Sequence, residues 1–387
     1  MCTHSIHVIM SSFSFAPHVV TPHVRYNYLL QSIRTLLSHS LTLAEPSIHT
    51  DVDEMVLTPS TTVALNMVGE GLVSSKFLRP GARALTTDQE HGGGTAWLTH
   101  WQTAGVVGPI DKVAVPYGLG ATAASVIAAF GEALQRAEAA GEKYSVVFAS
   151  HVLTTTGVAL PLVDIASLVH AHGAMFVVDG AQAPGGLSLD LHATGADVYT
   201  VSAHKWLLAP TGSGLLYLRA GRTQRAVLPT YLDGGYTAYS TSTGTLPLQT
   251  VAGLGYVLDM FAGLGMDRVA AHNLALREVL YSALTEMVAS LVARDPALYA
   301  GLEIISPHAA GGVTSPIVAL NLPPAVLLNT DACAALSADY GVVVKLMSDY
   351  EGGNDFVVNA IRMTTHVFNT REDVSKLMTG LSTLLGA

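Results

Sequence analysis

Five reactive side chains stand at two places where a run of apolar residues ends. They are a carboxylate, an amide, a hydroxyl, an imidazole and an amine, supplied by Asp179, Gln182, Ser202, His204 and Lys205. Ligands of open α/β sheets bind at the carboxyl ends of the strands. If both apolar runs are strands of one sheet, these five side chains meet at a common site.

Lys205 has the surroundings of an amine nucleophile. It is followed by Trp206, Leu207 and Leu208 in a chain that contains only 19 Lys and Arg residues, which argues against a solvated face. A desolvated lysine has a lowered pKa and can form a Schiff base with a carbonyl compound. We therefore predict that Lys205 is desolvated and reactive.

Two further segments suit ligand binding. Ser60-Thr61-Thr62 stands at the start of a predicted helix, where backbone N–H groups and hydroxyls bind anions, although such a segment also serves as an ordinary helix cap. His91 precedes Gly92-Gly93-Gly94, and a three-glycine turn tolerates the close approach of a ligand.

The elements that must position these residues follow an α/β pattern. Short β-branched runs alternate with Ala/Leu-rich segments from about Asp53 onwards, which predicts βαβ units around a mostly parallel sheet. Predicted strands cover 83–87, 145–149, 174–178, 196–201 and 214–218, and predicted helices cover 62–73, 120–140 and 161–172.

The pattern changes after Thr245. Long helices are predicted over 246–264 and 267–292, followed by strands over 317–320, 342–344 and 360–363 and helices over 331–340 and 371–385. This order predicts a second, α+β unit. We expect an atypical N-terminal segment over residues 1–50, a large domain over residues 51–260 and a small C-terminal domain over residues 261–387.

Composition excludes several classes of protein. Charged residues make up 12% of the chain and hydrophobic residues 50%, so disorder is not its main character. A net charge of -10 without a Lys/Arg run argues against nucleic acid as a partner. Apolar stretches such as 121–130 end in charge well before the roughly 20 residues of a membrane span, so we expect no membrane partner.

Cysteine usage favours a reducing compartment. Two cysteines, Cys2 and Cys333, are too few for a disulfide framework, and they lack the paired spacing of a zinc site. We therefore expect no metal. The first 44 residues contain no Asp or Glu, and they contain several serines, Arg25 and Arg34. That composition fits a weak organellar transit peptide, but a poorly ordered or misassigned start is favoured, because arginines are sparse and Pro17 and Pro22 interrupt any amphipathic helix. We predict a cytoplasmic protein, with an organellar one as the alternative.

Together these segments resemble the class V aminotransferase family of pyridoxal 5'-phosphate (PLP) enzymes, over roughly residues 50–387. The resemblance implies the PLP-dependent transferase fold type I, an α/β fold with a mostly parallel sheet in a large domain and a smaller α+β C-terminal domain. It also implies PLP as the cofactor, a small amino acid as the substrate and a homodimer.

The resemblance assigns three catalytic residues. Lys205 would carry PLP as a Schiff base, Asp179 would keep the pyridine nitrogen protonated, and His91 would stack on the ring and shuttle protons. A carboxylate beside the ring nitrogen makes the ring a better electron sink for an α-carbanion.

The remaining contacts follow from the same resemblance. Those with the cofactor are assigned to Thr61, Thr62, His91, His151, Asp179, Gln182, Ser202, His204, Lys205 and Thr245. Gln182 would reach the phenolic oxygen, and His151 stands where many relatives carry an asparagine. Thr245 would reach the phosphate of the other subunit. Arg362 matches the arginine that clamps the substrate carboxylate, for which a bidentate guanidinium is suited.

The resemblance leaves several reactions open. Cysteine desulfurases need a sulfur-accepting cysteine that residues 345–350 lack, while Cys333 lies further back in a predicted helix. Carbon-sulfur lyases, whose pattern resembles residues 150–161, are favoured because β-elimination needs only the lysine, the electron sink and a leaving group. An isopenicillin N epimerase-like enzyme needs a second positioned acid, for which His91 and His151 are candidates. An aminotransferase and a catalytically inert PLP-fold protein are further alternatives.

Overall fold

The main sheet has seven strands. A computed structural model of the chain describes residues 54–221, 223, 227, 247–347 and 358–387. The strands are β1 (Met55–Thr58), β2 (Ala82–Thr87), β3 (Val107–Val113), β4 (Tyr144–Ser150), β5 (Met175–Asp179), β6 (Val198–Ser202) and β7 (Gly214–Leu218). Their spatial order is β1-β7-β6-β5-β4-β2-β3.

Strand direction confirms the predicted α/β class. Strand β7 runs antiparallel to its neighbours β1 and β6, and the other neighbouring pairs are parallel. Strands β5, β6 and β7 are buried along their whole length, which is why they read as continuous apolar runs rather than alternating ones.

Helices cover both faces of this sheet. Helices α1 (Thr61–Ser74) and α2 (Gly92–Thr103) share a core with Val146 and Val177, whereas α3 (Ala123–Ala139) and α4 (Leu162–Ala171) share one with Val147 and Phe176. Successive residues of a strand point to opposite faces. The two cores therefore lie on opposite sides of the sheet.

A second, antiparallel sheet follows along the chain. Its strands are β8 (Glu303–Ile304), β9 (Ile317–Asn321), β10 (Lys345–Met347) and β11 (Ala360–Thr364), in the order β10-β11-β9-β8. The remaining helices are α5 (Leu248–Leu264), α6 (Met266–Arg294), α7 (Asn329–Tyr340) and α8 (Arg371–Leu385). None of the helices in the described ranges is long and apolar enough to cross a membrane.

Helix α6 contacts one core of the main sheet and the core of the second sheet. Its first turns contribute Met266 and Val269 to a core of the main sheet, while Leu276 and later residues pack with the second sheet. The change of core falls between Val269 and Leu276, close to the boundary predicted at residues 260/261. The division into residues 51–260 and 261–387 remains a prediction, because the molecule is continuous along this helix.

Several elements differ from the sequence-based expectation. The strand predicted over 342–344 is instead β10 at Lys345–Met347, because Lys345 pairs with Arg362 while Val343 is 85% exposed. Helix α2 was not predicted, since three glycines disfavour a helix. It forms because the His91 side chain caps its first turn and Trp97 and Leu98 are buried against the sheet.

Candidate active site

Eight of the predicted residues meet in one cavity at the carboxyl ends of β4, β5 and β6. These strands end at Ser150, Asp179 and Ser202, and the register places Ser150 beside Asp179. The predicted residues that line the cavity are Thr61, Thr62, His91, Asp179, Gln182, Ser202, His204 and Lys205. They are joined there by Ser60, Gly93, Gly94, Ser150, Val152, Thr154 and Ala181.

One side of the cavity is built from hydroxyls at the start of α1. The Ser202 hydroxyl donates to Thr61 Oγ1 at 3.0 Å, and the Thr61 N–H points to Ser202 Oγ at 3.3 Å. Ser60 Oγ accepts from the Val63 N–H at 3.2 Å and caps the helix. The arrangement puts backbone N–H groups and hydroxyls together at a helix N-terminus, where an anion is stabilised.

The tautomer of His204 follows from its contact. His204 Nδ1 lies 3.0 Å from the carbonyl oxygen of Ser213. A carbonyl can only accept, so Nδ1 carries the hydrogen. This bond orients the ring and leaves Nε2 as the nitrogen that can serve a ligand in the cavity.

Asp179 is a buried carboxylate at the end of β5. Its Oδ1 accepts from the Ala181 N–H at 2.8 Å. Burial raises the pKa of Asp179, while the Ala181 N–H and the charge of Lys205 oppose that rise. A Cβ atom at Gly94 would lie 2.9 Å from Asp179 Oδ2, so only glycine lets α2 approach the carboxylate this closely.

His91 is held at the N-terminus of α2. Its Nδ1 accepts from the Gly93 N–H at 3.0 Å, which places the ring hydrogen of the neutral form on Nε2. A Cβ atom at Gly93 would lie 3.0 Å from His91 Nδ1. The glycines predicted to form an open turn instead allow a helix to start against the imidazole.

Lys205 lies in a tight loop after β6. Its N–H donates to the Ser202 carbonyl at 3.2 Å, and its own carbonyl accepts from Leu208 at 3.1 Å. Leu208 has a φ of 58°, a left-handed conformation that is costly for a residue with a Cβ and is found at functional sites. The prediction that Lys205 is desolvated is wrong: it is exposed beside buried Trp206 and Leu207, because its side chain lines the open cavity.

Gln182 and Arg362 are joined through Thr154. The Trp206 Nε1–H donates to Gln182 Oε1 at 2.8 Å, so the Gln182 Nε2 is the donor toward Thr154 Oγ1 at 3.3 Å. Arg362 Nη1 donates to Thr154 Oγ1 at 2.6 Å and to the Thr154 carbonyl at 3.1 Å. Strand β11 thereby brings Arg362 to a residue that lines the cavity.

His151 is placed differently from the other predicted residues. Its Nδ1 lies 2.8 Å from the Tyr199 hydroxyl, and its side chain is not among those lining the cavity. Burial lowers the pKa of His151 to about 4. Its backbone N–H donates to the Asp179 carbonyl at 2.8 Å, which connects it to the site. Thr245 lies outside the described residues.

No function is predicted from the sequence for three residues near the cavity. Glu90 is buried, and Ser150 and Thr154 line the cavity. Burial raises the pKa of Glu90 to about 7 although it accepts hydrogen bonds from Ser150 and Thr87. The available signals were a glutamate directly before His91 and a hydroxyl at the end of β4.

The side chains of the cavity indicate which class of ligand, metal ion or organic molecule, they can bind. No group of three or more His, Cys, Asp or Glu residues lies close enough together in the described part of the chain to hold a metal ion. The cavity combines hydroxyls, a helix N-terminus, an amine and a buried carboxylate. This set suits an anionic organic ligand.

Known proteins resemble this chain in sequence. An isopenicillin N epimerase from Amycolatopsis lactamdurans is 30% identical over 277 residues, which cover 65% of this chain and 63% of that protein. The chain therefore spans less than two thirds of that relative's length. A probable cysteine desulfurase from Halobacterium salinarum is 27% identical, and the aligned region covers 85% of this chain and 75% of that protein.

Solved structures share the fold at lower identity. The cysteine desulfurase of Thermococcus onnurineus superposes with a TM-score of 0.74 at 19% identity, covering 95% of this chain and 86% of that one. The cystine C-S lyase C-DES, in complex with its reaction product cysteine persulfide, gives a TM-score of 0.72 at 20% identity, covering 98% of this chain and 92% of that one. The family described as aminotransferase class-V matches residues 42–300. The chain belongs to the class V aminotransferase family.

Proposed function

We propose that this chain is a PLP-dependent enzyme that acts on an amino acid through an α-carbanion. The donor set fits the cofactor group by group. Hydroxyls and N–H groups at the start of α1 suit a phosphate, the buried Asp179 suits a protonated ring nitrogen, and the Lys205 amine suits an aldehyde. The observation that carries the proposal is that Lys205, Asp179, His91 and Thr61 line one cavity.

Different residues of the chain would bind the phosphate and the phenolic oxygen of PLP. Thr61, Thr62, Ser202 and His204 would hold the phosphate, and Thr245 would join them from the other subunit. Gln182 would reach the phenolic oxygen with the Nε2 donor that Trp206 leaves to it. When bound, PLP supplies an electron sink that stabilises negative charge at the substrate Cα.

Asp179 would hold the proton on the ring nitrogen, and Lys205 would transfer the proton at the substrate Cα. Asp179 would accept a hydrogen bond from the ring nitrogen and keep that nitrogen charged, because the Ala181 N–H and the charge of Lys205 oppose the rise in the pKa of Asp179 that burial causes. The Lys205 amine would attach the cofactor and then remove or return the proton at Cα. His91, with its ring oriented by Gly93, would cover the ring and serve as a second proton carrier.

Arg362 would bind the carboxylate of the amino acid. Its Nη1 is engaged by Thr154, so Thr154 holds the guanidinium beside the cavity before a substrate arrives. Fork-shaped, bidentate pairing with a carboxylate would add charge-assisted hydrogen bonds that a threonine does not provide.

We favour a carbon-sulfur lyase that works by β-elimination. The cavity contains the groups that β-elimination requires, and cystine or a related sulfur amino acid is the substrate class we propose. A persulfide-forming desulfurase is disfavoured because no cysteine occurs in residues 345–357. Burial raises the pKa of the Cys333 thiol on α7, which makes it a poorer nucleophile at neutral pH.

An epimerase is the second candidate. The observation in its favour is similarity to two isopenicillin N epimerases, the one described above and a second from Streptomyces clavuligerus that is 46% identical over 98 residues. Those 98 residues are 24% of the second epimerase. Epimerisation needs proton delivery to both faces of Cα, a role we give to Lys205 and His91 in this alternative.

A single assay series separates these reactions. The purified full chain, supplied with PLP, is incubated with cystine, cysteine and other amino acids in deuterated water. A lyase releases pyruvate, ammonia and a sulfur product from cystine. An epimerase exchanges the α-proton and inverts the configuration without releasing pyruvate. If neither reaction occurs and no amino acid changes the absorbance of bound PLP, the catalytic proposal is wrong.

The assembly and location also belong to this proposal. We propose a homodimer in which Thr245 completes the phosphate site of the other subunit, because family members build composite sites in this way. The use of only two cysteines, Cys2 and Cys333, supports a reducing compartment such as the cytoplasm. Analytical ultracentrifugation of the full chain tests the dimer directly.

A further inference from the structure

Glu90 is a buried carboxyl group beside the cavity that the proposed mechanism does not use. The residue is 4% exposed. Its hydrogen-bond partners are Thr87 and Ser150, and no ion pair to it occurs within the described ranges. Because no cation compensates for burial, the pKa of Glu90 is raised to about 7, and the charge of Asp179 adds to the rise.

The two oxygens of this carboxyl have different partners. Oε1 accepts from the Ser150 backbone N–H at 2.9 Å and from the Thr87 hydroxyl at 2.8 Å. Oε2 lies 2.5 Å from the Ser150 hydroxyl oxygen. A backbone N–H can only donate, whereas a hydroxyl can donate or accept. A proton on Glu90 therefore sits on Oε2, between the carboxyl and Ser150.

We propose that Glu90 and Ser150 form a proton-dependent switch that sets what the Ser150 hydroxyl offers to a ligand. With Glu90 ionised, the Ser150 O–H donates to Oε2, and Ser150 offers only lone pairs to the cavity it lines. With Glu90 protonated, the Oε2–H donates to Ser150 Oγ, and the Ser150 hydrogen is released toward the cavity. The change takes one proton from solvent and breaks no other bond. Glu90 is thus a positioning residue that acts through Ser150.

Asp179 is the charged group that faces this switch. It stands beside Ser150 in the register of β4 and β5, and its negative charge favours a proton on Glu90. Burial raises the pKa of Asp179, but the Ala181 N–H and the charge of Lys205 oppose that rise, whereas no cation among the described residues opposes the rise at Glu90. Of the two carboxyls, Asp179 therefore carries the charge and Glu90 the proton, a division typical of paired acids in active sites.

The proton-holding part is tested on the full chain without added ligand. Infrared spectra recorded against pH follow the carbonyl stretch of protonated carboxyl groups. We expect a carboxyl that titrates near neutral pH and disappears in Glu90→Gln. Its titration should move to lower pH in Asp179→Asn, where the nearby charge is lost, and to higher pH in Ser150→Ala, where a stabilising hydrogen bond is lost.

Glu54→Gln is the matched control, because Glu54 is an equally buried glutamate that pairs with His192 instead. The neutral-pH band should persist in this control. A band that survives Glu90→Gln, or a wild-type chain in which no carboxyl titrates near neutral pH, overturns the switch.

The second measurement rests on the proposed function, since it uses PLP as the probe. The dissociation constant of PLP is measured against pH for the wild type, Glu90→Gln and Ser150→Ala. PLP binding itself changes with pH because the cofactor phosphate titrates, so the profiles are compared with one another. We expect the wild type to differ from both variants by a step of about fivefold across the titration of Glu90, the factor for one hydrogen bond.

The two parts can fail separately. Identical pH profiles in all three proteins would refute the switch and leave the PLP site intact. If none of the proteins binds PLP, the proposed function fails, and the infrared titration alone decides on the switch.

Discussion

The Ser202 hydroxyl donates to Thr61 Oγ1 across 3.0 Å, although 141 positions separate the two residues. This contact joins the end of β6 to the start of α1, and both residues are buried. It turns two ordinary features, a strand end and a helix start, into one polar surface.

Lys205 is expected to carry the cofactor covalently. Borohydride reduction should fix PLP on the peptide that contains Lys205, because reduction makes the linkage of an aldehyde to an amine permanent. Lys205→Ala should lose this labelling and the visible absorbance of the bound cofactor. Lys143→Ala, at an exposed lysine before β4, should retain both. Labelling of another lysine in the wild type would show that the attachment site is misplaced.

The pair formed by Thr61 and Ser202 is expected to bind the phosphate as a unit. Thr61→Val and Ser202→Ala should each weaken PLP binding by about fivefold or more, the effect of about 1 kcal/mol per hydrogen bond. Residues in contact are coupled, so the double variant should lose less than the product of the single effects. Thr99→Val, on the exposed face of α2, is the control. Strict additivity in equilibrium titrations would argue against a shared site.

Asp179→Asn should keep the cofactor and lose most of the activity. An asparagine can still accept a hydrogen bond, but it has no charge to hold the ring nitrogen protonated, so the electron sink is weakened. We expect a dissociation constant for PLP within about tenfold of the wild type and a fall in kcat of at least about 10²-fold, in line with the loss of a charged group at a reacting centre. Wild-type turnover in this variant would mean that the carboxylate is not at the ring nitrogen.

Arg362 should act on substrate affinity. Arg362→Ala should raise KM with little change in kcat, because a clamp that holds the carboxylate in both ground and transition states contributes uniform binding. Thr154→Val removes the oxygen that holds Arg362 Nη1 and should raise KM by a smaller factor. PLP titration should be nearly unaffected in Arg362→Ala. An effect confined to kcat would place Arg362 at the reacting atoms instead.

Glu90 should make the folded state less stable as the pH rises. Below about pH 4.5 the group is protonated in both the folded and the unfolded chain and contributes nothing. Between pH 4.5 and about 7 it ionises only in the unfolded chain, so the free energy of unfolding falls, by about 3 kcal/mol in total. Glu90→Gln lacks this loss. Urea unfolding of both proteins is measured at pH 4.5 and pH 8. From the lower to the higher pH, the free energy of unfolding of Glu90→Gln should rise relative to that of the wild type. A difference independent of pH would contradict the raised pKa.

The residue pattern predicted five of the seven strands of the main sheet, all but β1 and β3, and much of the site. Strands β5, β6 and β7 are buried on both faces and therefore leave an unbroken apolar signal, and the carboxyl ends of the parallel strands β5 and β6 lie at one edge of the sheet. Asp179 and Ser202 are the last residues of these two strands and Lys205 follows three positions later, so local pattern sufficed to place them together. The same holds for the start of α1, because hydroxyls before an apolar helix mark an N-terminus.

Other features were decided only in three dimensions. Helix α2 begins at three glycines because the His91 cap and the burial of Trp97 outweigh a weak helix propensity. Lys205 is exposed although its neighbours are apolar, since the loop turns its side chain into the cavity while Trp206 and Leu207 face the core. Hydrogen bonds join Glu90 to Ser150, Thr154 to Arg362 and His151 to Tyr199. The paired residues are 60, 208 and 48 positions apart. Contacts over such separations depend on how the helices and sheets pack, and no local pattern of residues specifies them.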